Sequence, residues 1–144
     1  VRPLMNKLPF LIVLFAVALT AGQASATTST SASEATKVRA ALANQMSLYN
    51  QARWRPMYRT FAPRVRSRCP YPEFVAEVKA IRGVFGRMAL RHVVVRVAGK
   101  RATATYQQLA GGKVVAAMTA KRPDKFVRIG NRWFDDLDWG SPCT

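Results

Sequence analysis

Apolar positions along the chain follow several regimes, beginning with an uninterrupted run from Leu8 to Leu19 preceded by Arg2 and Lys7. A membrane-spanning helix needs roughly 20 apolar residues, and this run stops short of that. It gives way to Ala21-Gly22-Gln23-Ala24-Ser25-Ala26, whose last three residues form the small-x-small pattern of a secretory cleavage site. Residues 1–26 are therefore expected to be a signal peptide cut after Ala26, with an uncleaved N-terminal anchor as the alternative. Residues 27–33 are small and polar and offer nothing to bury, which predicts a flexible leader. A single domain is expected over residues 34–144.

Within that domain Val38, Leu42, Met46 and Tyr49 recur at helical spacing, with Ala41 and Gln45 beside them. Ser31 and Glu34 suit a capping box, so the first helix is expected over about 33–50. Pro56 favours the first turn of a short second helix, 56–61, which Pro63 ends. Residues 64–69 alternate basic with small or apolar side chains. That predicts an edge strand or extended loop with Arg64, Arg66 and Arg68 on one side, serving either as anion ligands or as guards against edge pairing. Pro72, Glu73 and Gly83 bracket a third helix with Phe74, Val78, Ile81 and Phe85 as its buried stripe.

From residue 89 the period changes to two. Strands are expected at 90–97, 101–109 and 113–120 as an antiparallel meander, followed by 125–129 and 132–136 joined by Gly130-Asn131. Three helices followed by about five strands give an α+β class with helices packed on one face of a curved antiparallel sheet.

Composition changes the picture in two ways. The chain carries 23 Lys and Arg against 7 Asp and Glu, a net charge of +16, or +14 once Arg2 and Lys7 leave with the leader. Such charge favours encounter with anions and opposes self-association, although a homodimer stays compatible with the sequence. Dispersed arginines can equally form a merely solvated surface. The two cysteines, Cys69 and Cys143, admit one pairing, and an oxidising compartment would close it. Two cysteines and the lone His92 lack metal-ligand spacing, so neither metal nor cofactor is expected.

The order of elements, the segment Asn50-Gln51-Ala52-Arg53-Trp54, the basic stretch ending Arg68-Cys69 and the closing hairpin Phe126 to Trp133 resemble the nuclear transport factor 2-like superfamily of cystatin-like topology, in particular its small exported bacterial members. The resemblance spans about residues 34–138. It implies a cone-shaped sheet around the helices and a cavity for which Met46, Tyr49, Trp54, Tyr58, Phe74, Tyr106, Met118 and Trp133 are candidate lining residues; each of them can equally be ordinary core. Because buried hydroxyls need partners, Tyr49, Tyr58 and Tyr106 are better candidates than the phenylalanines.

Enzymes that this family resemblance brings in, the ketosteroid isomerases and polyketide cyclases, use a cavity carboxylate as general base. Here Arg64, Arg66 and Arg68 stand where one would be expected. Glu34 and Glu73 are placed at helix starts, Glu77 on a solvent face and Asp124 in a turn. Asp135 alternates with Trp133 and could turn inward, but an exposed partnership with nearby arginines is the expectation. His92 is expected to be structural. No catalytic residue is assigned. The expected function is a non-catalytic binding or accessory domain of the cell envelope or extracellular space, with no membrane span once the leader is cut. Its ligand would be an anionic envelope component or a small apolar molecule. A cyclase- or isomerase-like enzyme is the alternative, and nucleic acid is the least favoured partner.

Overall fold

The computed structural model describes residues 21–116, 123–137 and 143, with side chains from residue 30 onward. Helices α1 (Ala21–Asn50), α2 (Trp54–Tyr58), α3 (Pro63–Arg68) and α4 (Tyr71–Phe85) precede strands β1 (Met88–Ala98), β2 (Arg101–Ala110), β3 (Lys113–Val114), β4 (Asp124–Ile129) and β5 (Arg132–Asp135). The chain is thus α+β, its N-terminal helices packed against an antiparallel sheet that is neither closed nor strongly curled. Among the described residues no helix is long and apolar enough to cross a membrane.

The α1 helix is longer than its apolar stripe, running through residues 27–33, where a flexible leader is expected. The leader expectation rests on the lack of anything to bury; six of residues 27–33 are serine or threonine, weaker helix formers than alanine, but no proline or glycine interrupts the helix there. The stripe itself is as expected: Val38, Leu42, Gln45 and Tyr49 are buried and Met46 is half-buried. Glu34, instead of capping a helix start, lies within α1 and is itself buried.

Two local devices end α1 and tie it to the sheet. Ala52 takes a left-handed φ of 56° while its N–H donates to the Tyr49 carbonyl and the Arg53 N–H to the Leu48 carbonyl, the paired bonds of a Schellman cap. The Asn50 side chain then bonds both backbone groups of Met88, donating to its carbonyl at 2.7 Å and accepting from its N–H at 2.9 Å. One amide so fixes the start of β1 against the end of α1.

Residues 63–68 correct the extended-segment expectation, because they form α3. Pro63 presets the first-turn φ, and the Tyr58 hydroxyl, 2.9 and 2.8 Å from the carbonyls of Arg66 and Cys69, serves the orphan acceptors at the far end. Helix geometry puts successive residues 100° apart, so Arg64 and Arg68 share a side and Arg66 faces away from them. Cys69 follows directly and is disulfide-bonded to Cys143, 74 positions on.

Strand order is β1-β2-β4-β5, with β3 also paired to β2. This replaces the simple meander. β3 meets β2 at Leu109 and Ala110, β4 meets it at Arg101 to Ala104, and both lie along the same edge of β2. The free edge of β5 is covered by the link between α2 and α3: Asp135 N–H donates to the Thr60 carbonyl and Ala62 N–H to the Asp135 carbonyl. The β1–β2 register slips by one between Arg91 and Val94, a bulge opposite Tyr106 in which His92 adopts a φ of 54°. His92 is exposed there, so it is a bulge residue, and alternation with its apolar neighbours stops at that point.

The core divides in two. One cluster gathers Leu48, Tyr49, Met57, Phe61, Phe74, Val78 and Met88 around the disulfide, and the other packs Val38 and Leu42 onto Val95, Ala102, Ala104, Phe126 and Trp133 of the sheet.

Candidate functional site

Where the two clusters meet, the packing leaves a cavity of about 290 Å3. That is near the small end of ligand sites, roughly 300–1,000 Å3. Its walls are chiefly apolar: Leu42, Met46 and Tyr49 from α1, Met57 and Phe61 around α2, Val78 and Ile81 from α4, and Met88 from β1. The sheet supplies a polar end, formed by Tyr106 and Gln108 of β2, Asp124 of β4 and Asp135 of β5, with Gln45 of α1 opposite.

Pleating explains the convergence. Side chains two apart on a strand share a face, so Asp124 stands beside Phe126 and Asp135 beside Trp133 on the helix-facing side. Since Phe126 pairs with Asp135 and Ala104 with Asp124, the two carboxyls and Tyr106 fall on neighbouring positions of three adjacent strands. Asp135 is 4% exposed and Asp124 7% exposed. Both placements correct the sequence-based expectation of a solvent-exposed Asp135 and an Asp124 in a turn.

Burial sets the electrostatics. The Asp135 carboxyl is pushed up to about 7, first by loss of hydration and next by the neighbouring charge of Asp124. Its Oδ2 accepts from Gln45 Nε2 at 3.0 Å and its Oδ1 from the Leu137 N–H at 2.9 Å, bonds that partly offset the rise. Burial also raises Asp124, against a hydrogen bond donated by the Tyr106 hydroxyl. Tyr106 itself is driven well above the ordinary phenol range by burial and by the Asp124 charge, so it stays a donor at every physiological pH. The negative charge of Asp124 thus opposes ionisation of Asp135.

Of the residues expected to line a cavity, Met46, Tyr49 and Tyr106 do so. Tyr49 donates its hydroxyl to the Gly86 carbonyl at 3.1 Å, and burial raises it while the Arg82 charge works the other way. Trp54, Tyr58, Phe74 and Trp133 are not among the lining residues, for separate reasons. Trp54 packs edge-on against Tyr49 with ring centres 5.9 Å apart. Tyr58 is spent on the α3 carbonyls, and Phe74 is fully enclosed among Tyr58, Phe61 and Tyr71. Trp133 donates Nε1 to Glu34 Oε2 at 2.9 Å, where Arg128 approaches the same oxygen at 3.3 Å. Glu34 is thereby held below its ordinary carboxylate value, by the Lys37 bond first and the Trp133 bond second. Met118 lies outside the described residues.

The arginines expected to bind anions are dispersed. Arg64 donates Nε to Asp136 Oδ1 at 2.8 Å and is bound in an ion pair, Arg66 has a buried Nε without a hydrogen-bond partner, and Arg68 is exposed. Glu77, expected on a solvent face, is half-buried with Oε2 3.3 Å from Cys143 Sγ, and burial raises it. Among the described residues no three His, Cys, Asp or Glu side chains gather as a metal site.

Sequence reasoning missed Gln45, Gln108 and Asp124. The signal that could have found Asp124 is parity: it falls two before Phe126, just as Asp135 falls two after Trp133, so each carboxyl occupies a core-facing register. No protein-family model matches the sequence, and no curated protein matches it.

Proposed function

We propose that the chain binds a small, mainly apolar molecule in this cavity and that Asp135 exchanges a proton with it. One observation carries the reading: a wholly buried carboxyl, pushed up to about 7, stands at the polar end of an apolar chamber beside a second carboxyl. A group with that value is present in both protonation states near neutrality, the condition for general acid–base work. Gln45 and the Leu137 N–H hold its orientation, and Tyr106 with Asp124 supplies the hydrogen-bonding pair next to it. The fitting reaction class is proton abstraction and return at a carbon beside a carbonyl, as in isomerisation or cyclisation. A non-catalytic domain is expected from the lack of a cavity base and from the strong positive charge; the buried carboxyl pair offers a candidate for such a base.

The helices on one sheet face, together with a polar-ended cavity, support the nuclear transport factor 2-like reading of the element order, whereas the open sheet departs from the cone which that resemblance implies. The disulfide supports an exported protein of the envelope or extracellular space, since such bonds persist in oxidising compartments. Residues 1–26 would be its leader.

Solvent deuterium exchange at the α-carbon of 2-tetralone, followed by proton NMR, tests the chemistry. The parent should accelerate exchange and D135N should lose about 100-fold or more of that acceleration, the usual worth of a general base. Full exchange by D135N would overturn the base assignment. A second reading, binding without chemistry, is favoured by one feature: both Asp135 oxygens and Asp124 already accept hydrogen bonds within the protein. Chemical-shift changes on adding the ketone, with no exchange by either protein, would select it.

A further inference from the structure

The outward face of the sheet, remote from the cavity, carries a second recognisable chemistry. Alternation places Arg91 and Arg96 of β1, Arg101 of β2, Lys125 of β4 and Arg132 of β5 opposite the helix-packed residues Val95, Ala102, Phe126 and Trp133, and all five cations are exposed. Arg96 and Lys125 both pair with Thr103, from either side of β2, and Arg101 lies two residues from Thr103 on the same strand and face. With strands about 4.8 Å apart, three cations therefore surround one threonine within roughly 10 Å. Arg91, Arg96 and Arg101 make no ion pair among the described residues. Among the described residues the one carboxylate at an outward position there, Asp136, accepts from Arg64 at the sheet border.

Like charges gathered on one face cost stability through repulsion, and nothing within the described residues neutralises the three arginines. Two aliphatic side chains share the face: Val94 is 50% exposed and Ile129 47% exposed. We infer that this face docks on an anionic phospholipid surface. Phosphate headgroups match the cations at about 1 kcal/mol for each residue near the surface, roughly a fivefold gain in affinity per cation. The aliphatic side chains sink into the boundary between headgroups and acyl chains. A phosphate-bearing strand such as nucleic acid would use the cations but gain little from valine and isoleucine. Such strands are gripped by aromatic stacking platforms, whereas Phe134, the aromatic on this face among the described residues, is half-buried with Arg132 above its ring at 5.2 Å. An open, gently shaped sheet also presents its cations together to a planar partner.

Vesicle co-sedimentation of the full chain tests this, with phosphatidylcholine vesicles either pure or containing about one quarter phosphatidylglycerol. Any attachment through residues 8–19 would be common to all variants, so the ratio of the two affinities, compared between variants, is the readout. R91Q/R96Q/R101Q should lower that ratio at least about tenfold. R53Q/R59Q/K79Q removes the same charge from exposed positions on the helical side and should leave most of it. V94S/I129S should lower binding to the anionic vesicles while leaving its salt dependence in place. The proposal is overturned if the two triple variants fall equally, if the parent binds both vesicles alike, or if the sheet-face arginines govern binding of a labelled DNA duplex and leave vesicle binding unchanged.

Discussion

Asp135 binds a proton more tightly in the folded chain, with a value of about 7, than in the unfolded one, where its ordinary value is 3.8. Between these values the native state holds a proton that the unfolded chain releases, so its contribution to stability falls as pH rises through that window and is level above it. The full effect amounts to up to about 4 kcal/mol. Melting temperature of the parent should therefore fall relative to D135N from pH about 4 to about 7, with Asp124 adding a contribution of the same sign in both proteins. A parent and D135N that track each other in parallel across that range would show that Asp135 is not buried as described. Glu34 acts in the opposite direction, since its lowered value makes its contribution disappear as pH falls through the carboxylate range. Tyr58 offers a residue-scale test without titration. Y58F leaves the carbonyls of Arg66 and Cys69 without their hydroxyl donor and should cost about 1–2 kcal/mol by urea unfolding, with little change in the cavity.

Elements are joined here by a few backbone and amide contacts. At the end of α1 the left-handed position of the Schellman cap is filled by Ala52, where glycine would be free of Cβ strain. A52G should raise stability by about 0.5–1 kcal/mol, read as a higher urea midpoint at unchanged slope. Along the sheet, the bulge at His92 lets β1 change register against β2 opposite Tyr106, so a single irregular residue sets how the two halves of a long edge strand face the helices. The link between α2 and α3 does comparable work on the other border, pairing with β5 at Asp135 and so holding the residue whose side chain reaches the cavity.

At the scale of the whole molecule, the Cys69–Cys143 bridge ties the chain's last residues to the segment after α3. Closing a loop of that length in the unfolded chain is worth about 4 kcal/mol in the chain-entropy model. C69S/C143S should lower stability by that order in denaturant titrations. Because Leu137 lies between β5 and Cys143 and donates its N–H to Asp135, the same variant should also weaken ketone binding in the cavity.

Periodicity, turn residues and the cysteine count were enough for the class of fold, the buried stripe of α1, the final hairpin and the pairing of two cysteines, because each depends on neighbours in sequence or on a count that leaves no choice. Local pattern misled at residues 63–68, where alternating arginines suit a strand but Pro63 and Tyr58 make a helix. It likewise could not show that β4 pairs directly with β2. The site was the least legible part: Tyr49 and Tyr106 stood out by type, whereas Asp124 and Asp135 are ordinary acids until three strands and a helix enclose them. Charge tuning of that sort comes from lost hydration and nearby charge, both properties of what surrounds a group in space. The chain order therefore determines which side chains share a face of their own strand, and only the packed tertiary structure decides that the two carboxyls meet in one small, mainly apolar chamber.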